Sequence, residues 1–306
     1  MRFLPTLAAI AALATTTASA ASNVNLALVP ETLDGDAESA DMDDFVLGGL
    51  RGELGEKLTS EFGLFDDQPL TTTDAVSAGW VRGSSSCDDN LGIAYNYKDS
   101  APTKKRPVSL YYTATGAIAG VGIRVYGSLP SNLISRGFWV KQSDGAYLLT
   151  VSFRPTSAMC GTTTSPGTIG NQLMVNQGTL NVPIPLTDSA AQAGGFTKGG
   201  CIDKMGTHWA LDLESAPKMT WEVANLMPVI PMYNDGVVSA FFIASDDTQQ
   251  SLLPPSNRFW DIVVIPRSLM CLNWCDDSCS WKGTLAFSTM HWLLGNYESV
   301  SCSSRC

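Results

Sequence analysis

From about Leu70 to the C-terminus, the chain is a series of short runs rich in β-branched and aromatic residues, separated by turn sequences. Residues 107–113 and 117–126 flank Thr115-Gly116 and have the pattern of a β-hairpin. The same pattern predicts further strands at 137–142, 147–153, 173–175, 179–184, 228–233, 237–243, 260–265 and 284–294. Little length remains for helices, so the sequence predicts a mainly β fold, with a single large antiparallel β-sandwich or barrel-like domain over residues 70–306.

The N-terminus has the pattern of a secretory signal peptide, assigned to residues 1–21. Arg2 supplies a positive charge, and an apolar run over 4–14 is too short to span a bilayer. Ala18-Ser19-Ala20 then fits the small-residue rule for cleavage. We therefore expect a secreted, extracellular protein with no transmembrane segment after cleavage of the signal.

The formal net charge of −10 comes from one part of the chain. Between Glu31 and Asp67 there are twelve acidic residues against Arg51 and Lys57. We assign residues 22–44 to a flexible acidic leader, because they contain few large apolar residues. Leucines and phenylalanines at three- and four-residue spacing predict an amphipathic helix over 45–67. Outside 104–106 there is no basic cluster, so we do not expect nucleic acid as a partner.

Eight cysteines follow the cleavage site, and an even number in an oxidising compartment predicts up to four disulfides. Spacing does not choose among the pairings, and five of the eight lie between 271 and 306. The disulfide candidates are Cys87, Cys160, Cys201, Cys271, Cys275, Cys279, Cys302 and Cys306.

The chain contains only two histidines, and both lie in similar phrases. His208 is preceded by Met205-Gly-Thr and followed by Trp209, and His291 is preceded by Met290 and followed by Trp292. Because histidine is the commonest metal ligand and titrates near neutral pH, the repeated context predicts that the two form one site. If 207–214 is a strand, His208 shares a face with Asp212 and Glu214, and Trp209 lies on the other face.

Three interpretations of the histidine pair stay open. In the leading one, His208 and His291 bind a transition metal together, with Met205 or Met290 as a further ligand; a thioether favours copper, and a carboxylate favours zinc or iron. Asp212 and Glu214 would then orient the imidazoles. In the second, one histidine is a general base in a hydrolase. In the third, each is a structural residue beneath a tryptophan.

The enzyme motifs searched for are absent, so a hydrolase is the least favoured of the candidate functions. The sequence has no Gly-x-Ser-x-Gly elbow, no His-Glu-x-x-His helix and no phosphate-binding loop of the Walker type. Four tryptophans in the last third of the chain offer an alternative function: a non-catalytic extracellular or cell-surface protein that binds a glycan or another protein. These tryptophans are Trp260, Trp274, Trp281 and Trp292.

Three stretches also resemble a family of secreted proteins of unestablished function. They are 200–209, which ends in Met-Gly-Thr-His-Trp; 228–236, which ends in Tyr-Asn-Asp-Gly; and 288–291, which ends in Met-His. Members of that family share a Met-Gly-x-His-aromatic motif and a late Met-His strand motif. The resemblance implies a shared site at His208 and His291 and does not name its chemistry.

Overall fold

A computed structural model describes residues 54–61, 65–97, 108–126, 129, 131–162, 167–211, 227–246, 261–266 and 284–303. At 246, 261–266 and 284–287 it describes the backbone. These residues all belong to one compact unit that runs from Gly49 to Cys306. The predicted signal peptide and acidic leader lie outside the described residues.

Within these ranges, sixteen strands form two antiparallel sheets of eight strands each. The first sheet has the order β11-β12-β13-β14-β16-β1-β2, with β15 paired to β16 beside β1. Its strands are β1 Leu58–Glu61, β2 Phe65–Gln68, β11 Thr197–Ile202, β12 Gly206–Ala210, β13 Val229–Asn234, β14 Val237–Asp246, β15 Asp261–Pro266 and β16 Thr284–Leu294.

The second sheet has the order β10-β9-β8-β6-β5-β4-β3, with β7 paired to β8. Its strands are β3 Val81–Arg82, β4 Ile93–Asn96, β5 Val108–Tyr112, β6 Ile118–Val125, β7 Val140–Lys141, β8 Tyr147–Ser152, β9 Met174–Gln177 and β10 Leu180–Pro183.

The hydrophobic core lies between the two sheets. One cluster of buried side chains joins β5, β6 and β8 of the second sheet to β13, β14 and β16 of the first. Phe153, just after β8, meets Phe241 of β14 edge to face, and Phe241 stacks on Trp292 of β16. We call the sheet faces that enter this core the inner faces. The fold is therefore the predicted mainly β, antiparallel sandwich, and the described strands do not close into a barrel.

The predicted turns connect the predicted strands. The hairpin between β5 and β6 is confirmed, with Gly116 in the left-handed region at φ 87°. Asp235 and Gly236 both have positive φ, at 50° and 81°, as a two-residue type I′ turn requires. That turn sets the register of β13 on β14, and therefore decides which residues of each strand face the core.

Described helices are short and connect strands. They are α1 Thr72–Ser77, α2 Ser131–Ser135, α3 Thr156–Met159 and α4 Asp188–Ala193, with a 3₁₀ turn at Tyr297–Ser299. Thr187 caps α4, since its hydroxyl accepts a hydrogen bond from the Ala190 amide. Among the described residues, no helix is long and apolar enough to cross a membrane.

The predicted helix over 45–67 is wrong in its described part. Leu58–Glu61 is β1, which pairs with β16, and Phe65–Gln68 is β2. The three- and four-residue spacing was compatible with a helix, but several glycines weaken that helix, and pairing with an eleven-residue strand offers β1 more buried contact. The β-domain therefore includes residues before the predicted boundary at 70.

Two disulfides are formed, Cys87–Cys160 and Cys201–Cys302. The first ties the loop before β4 to the end of α3, and the second ties the C-terminal segment to β11. The other four candidates, Cys271, Cys275, Cys279 and Cys306, lie outside the described residues. Disulfides are compatible with a secreted protein.

Candidate functional site

Both histidines lie on the outer face of the first sheet, and both following tryptophans lie on its inner face. His208 is opposite Met232 in β13, and His291 is opposite Phe242 in β14. Trp209 and Trp292 are buried in the core between the sheets. Since neighbouring residues of a strand point to opposite faces, the repeated His-Trp phrase places two strands in the same orientation towards the core.

The outer face around the histidines is apolar and buried. Phe242 is 4% exposed, and its ring centroid is 5.7 Å from that of His208 and 5.2 Å from that of His291. Ile230 and Leu293, on the same face, are fully buried. Ionisable side chains are costly to bury in such surroundings unless they have a polar partner or a functional role.

The two imidazoles lie on the same face of the sheet, on strands that β13 and β14 separate. The Phe242 ring of β14 lies next to both imidazoles. A metal site shared by His208 and His291 therefore stays a prediction.

His208 is held as a neutral imidazole. Its Nδ1 lies 3.2 Å from the Gly200 carbonyl oxygen, which can only accept, so Nδ1 donates the hydrogen bond. Burial, with a smaller contribution from the nearby charge of His291, lowers the pKa of His208 from 6.5 to about 4, and the hydrogen bonds to the backbone of Gly200 and Gly206 oppose this shift. Part of the residue remains accessible at the surface, but the surroundings of the ring make its charged form costly.

His291 lies beside a carboxylate that the sequence did not point to. Glu61 of β1 is directly opposite His291, and its Oε2 is 3.6 Å from His291 Nδ1. The Glu61 side chain is 22% exposed and the His291 side chain is 13% exposed. Thr289, two residues earlier on the same face of β16, is 3% exposed, and its hydroxyl has no hydrogen-bond partner in the described part of the chain. The backbone of Asp261 in β15 pairs with Thr289.

The side chains of the two methionines predicted as ligands lie away from the His291 imidazole. Met290 points to the inner face and is fully buried in the core. Met205 lies in the turn before β12, where its carbonyl accepts a hydrogen bond from the Ser239 hydroxyl. Met290 therefore lies on the opposite face of β16 from His291, and Met205 precedes β12, which is three strands from β16.

Other predicted site residues fall elsewhere. Asp212 and Glu214 lie outside the described residues, as do Trp260, Trp274 and Trp281. Trp292 is fully buried in the core, so it does not contribute to an exposed aromatic surface. Among the described side chains, no three His, Cys, Asp or Glu residues converge to hold a metal ion.

Comparison with protein families, curated proteins and solved structures finds no match to this chain. The resemblance to a family of secreted proteins therefore stays a prediction from short motifs.

The sequence pattern does not point to Glu61, Thr289 or Phe242. Glu61 lies within the predicted helix over 45–67, and its position beside His291 results from pairing between strands 230 residues apart in sequence. One local signal was present, because Thr289 precedes His291 by two residues and therefore shares its face in any strand.

Proposed function

We propose that this chain is a secreted β-sandwich protein that binds Zn²⁺ through His291 and Glu61, with Thr289 as a further oxygen ligand. The carrying observation is the 3.6 Å separation of His291 Nδ1 and Glu61 Oε2 within a buried, mostly apolar face. The proposal keeps the predicted transition metal and one predicted histidine. It replaces the methionines by oxygen donors.

The distance itself favours coordination over an ordinary hydrogen bond. An N–H···O hydrogen bond joins heavy atoms at 2.7–3.2 Å, and 3.6 Å is longer than this range. Two ligand atoms held tetrahedrally by zinc, with bonds of about 2.0–2.1 Å, are about 3.3 Å apart. A small shift of either side chain would bring the two atoms to that separation.

The surroundings add a reason for a cation. Glu61 brings a carboxylate into a face whose neighbours, Phe242 and Leu293, are apolar and buried. A bound divalent ion would be attracted to this carboxylate, and it would also satisfy the Thr289 hydroxyl, which has no hydrogen-bond partner among the residues that the structure describes. Glu61 is paired with His291, and Thr289 lies two residues before His291 on the same face of β16.

The donor set is compatible with zinc. One imidazole with carboxylate and hydroxyl oxygens can bind zinc, whereas copper(I) would favour thioether sulfur. Secretion is supported by the predicted signal peptide and by the two disulfides.

Zinc binding is tested on the mature protein after treatment with EDTA. We expect one zinc per chain by elemental analysis after reloading and dialysis. Glu61→Gln and His291→Asn, which are close in size to the native residues, should each weaken zinc affinity by about 100-fold or more. His208→Asn is the matched control and should retain zinc, because His208 lies on β12, which β13 and β14 separate from β16.

Cobalt(II) substitution gives a second readout that does not depend on stability. Visible absorption of the cobalt form should show a low-coordinate site with nitrogen and oxygen ligands, and Thr289→Val should change this spectrum. Asp261→Asn tests whether the carboxylate at that register position adds to affinity. Wild-type protein that stays free of zinc, or zinc retained by folded His291→Asn, would sink the proposal.

A further inference from the structure

A polar cleft lies on the opposite side of β12 from His208. Thr207 and Trp209 of β12 point to the inner face, and Lys198 of the edge strand β11 is directly opposite Trp209. At this edge the inner face is bordered by α4 on one side and by residues 301–303 on the other. The cleft is therefore separate from the zinc site of the proposed function.

The cleft consists of two adjoining cavities that share Lys198. The larger, about 430 Å³, is lined by Asp188, Ser189, Gln192, Phe196, Lys198 and Trp209. The smaller, about 190 Å³, continues past Thr207 to the Asn234-Asp235 turn and to Ser301. Volumes of this order hold a single sugar ring in the first cavity and part of a second ring in the next.

The residues that line the larger cavity include hydrogen-bond donors, hydrogen-bond acceptors and aromatic rings. Asp188 offers an acceptor, Lys198 a donor, and Gln192 both. Asp188 and Lys198 line the same cavity, and neither forms an ion pair in the part of the chain that the structure describes. They therefore keep their hydrogen-bonding capacity for a ligand.

The indole N–H of Trp209 provides a second, independent reason to expect a ligand in the larger cavity. The residue is 5% exposed and lines the larger cavity, and its Nε1–H has no hydrogen-bond acceptor within the described ranges. A buried indole N–H normally has one. A hydroxyl held in the cavity beside Trp209 would supply that acceptor after a small adjustment of the indole.

The walls of the cleft are fixed before any ligand binds. The Asp188 amide donates to the Gly236 carbonyl, and the Tyr233 hydroxyl donates to the Pro185 carbonyl. The Cys201–Cys302 disulfide holds the C-terminal segment against β11. A preformed site loses less conformational entropy on binding, which favours a specific ligand.

We propose that this cleft binds a neutral oligosaccharide. Each sugar hydroxyl both donates and accepts, which matches a lining that mixes Asp, Gln, Lys, Ser and Thr. The C–H face of a sugar ring packs on aromatic carbon, which Phe196 and Trp209 present in the larger cavity. The two cavities in line along β11 suit a chain of linked rings.

The test is isothermal titration of the mature protein, in EDTA, with soluble hexasaccharides of β-1,4-glucose, β-1,3-glucose, β-1,4-xylose and N-acetylglucosamine. We expect at least one of them to bind with a Kd of about 1 mM or tighter. Lys198→Ala and Gln192→Ala, both at exposed positions, should weaken binding by about tenfold each. Lys141→Ala, an exposed lysine of the second sheet, is the matched control and should bind as the wild type does.

Trp209→Phe removes the indole N–H, keeps an aromatic ring and should also weaken binding. Absence of binding to all four hexasaccharides at several times 1 mM would overturn the proposal. So would binding that is unchanged in Lys198→Ala and Gln192→Ala, or competition by free amino acids rather than by saccharides. Because EDTA is present throughout, failure of zinc binding and failure of saccharide binding are distinguishable.

Discussion

Acid should destabilise this protein in a pH window set by His208. Its pKa in the folded state is about 4, whereas an exposed histidine has a pKa of 6.5. Between these values the unfolded chain binds a proton at position 208 that the folded chain does not bind. The free energy of unfolding should therefore fall as the pH is lowered through this window, and the full contribution of neutral His208 is present above pH 6.5.

The size of this effect follows from the two pKa values. One proton bound in the unfolded state alone gives a slope of about 1.4 kcal/mol per pH unit. Across the window from 6.5 to about 4, this amounts to about 3 kcal/mol. Solvent at the accessible part of the residue reduces the effect, so we expect about 2–3 kcal/mol. That is a large part of the stability of an ordinary domain.

The assay is urea denaturation at steps from pH 7.5 to pH 4, followed by tryptophan fluorescence, in EDTA. His208→Asn is the comparison, because asparagine does not titrate and keeps an N–H near the position of Nδ1 to donate to Gly200. The difference in unfolding free energy between the two proteins should narrow by about 2–3 kcal/mol as the pH falls. Since the charge of His291 also lowers the pKa of His208, His291→Asn should make the acid loss smaller. Parallel pH profiles of wild type and His208→Asn would refute the reasoning.

Two further predictions concern stability. Gly206→Ala should cost at least about 2 kcal/mol, because Gly206 has φ 104° and a Cβ there would lie 2.6 Å from the Tyr233 carbonyl oxygen. Gly145→Ala, at φ 83° with open space around it, should cost only the backbone strain of about 1 kcal/mol, and equal losses in urea denaturation would contradict the steric argument. Removing Cys201–Cys302 or Cys87–Cys160 by paired serine substitution should cost about 4–5 kcal/mol each, because they close loops of 101 and 73 residues. Unfolding free energies that fall by less than about 1 kcal/mol would contradict the loop-entropy account.

The features predicted well from sequence are those set by local chemistry. Asn234-Asp235-Gly236 demands positive φ at two successive residues, and this demand alone defines the turn between β13 and β14. The alternation around His208 likewise placed Trp209 in the core and the imidazole on the opposite face. Neither conclusion depends on which strand is the neighbour.

The features that were missed depend on pairing between distant segments. β1 has a sequence, Leu-Thr-Ser-Glu, that is compatible with either helix or strand, and its three buried residues reflect contact with β16. The position of Phe242 beside both imidazoles depends on the order β12-β13-β14-β16, which the sequence does not state. The repeated His-Trp phrase correctly predicted that the two strands share one orientation towards the core.

The alternation of β12 gives this short strand two separate roles. His208 faces the outer surface of the sheet with His291, whereas Thr207 and Trp209 face the cleft beside Lys198. Both sets of residues share one backbone, which Gly206 allows to approach the Tyr233 carbonyl closely. A change that shifts β12 against β13 would therefore move both faces at once. For this reason Gly206→Ala should weaken saccharide binding and alter the acid sensitivity from His208 together, whereas Lys198→Ala should affect saccharide binding alone.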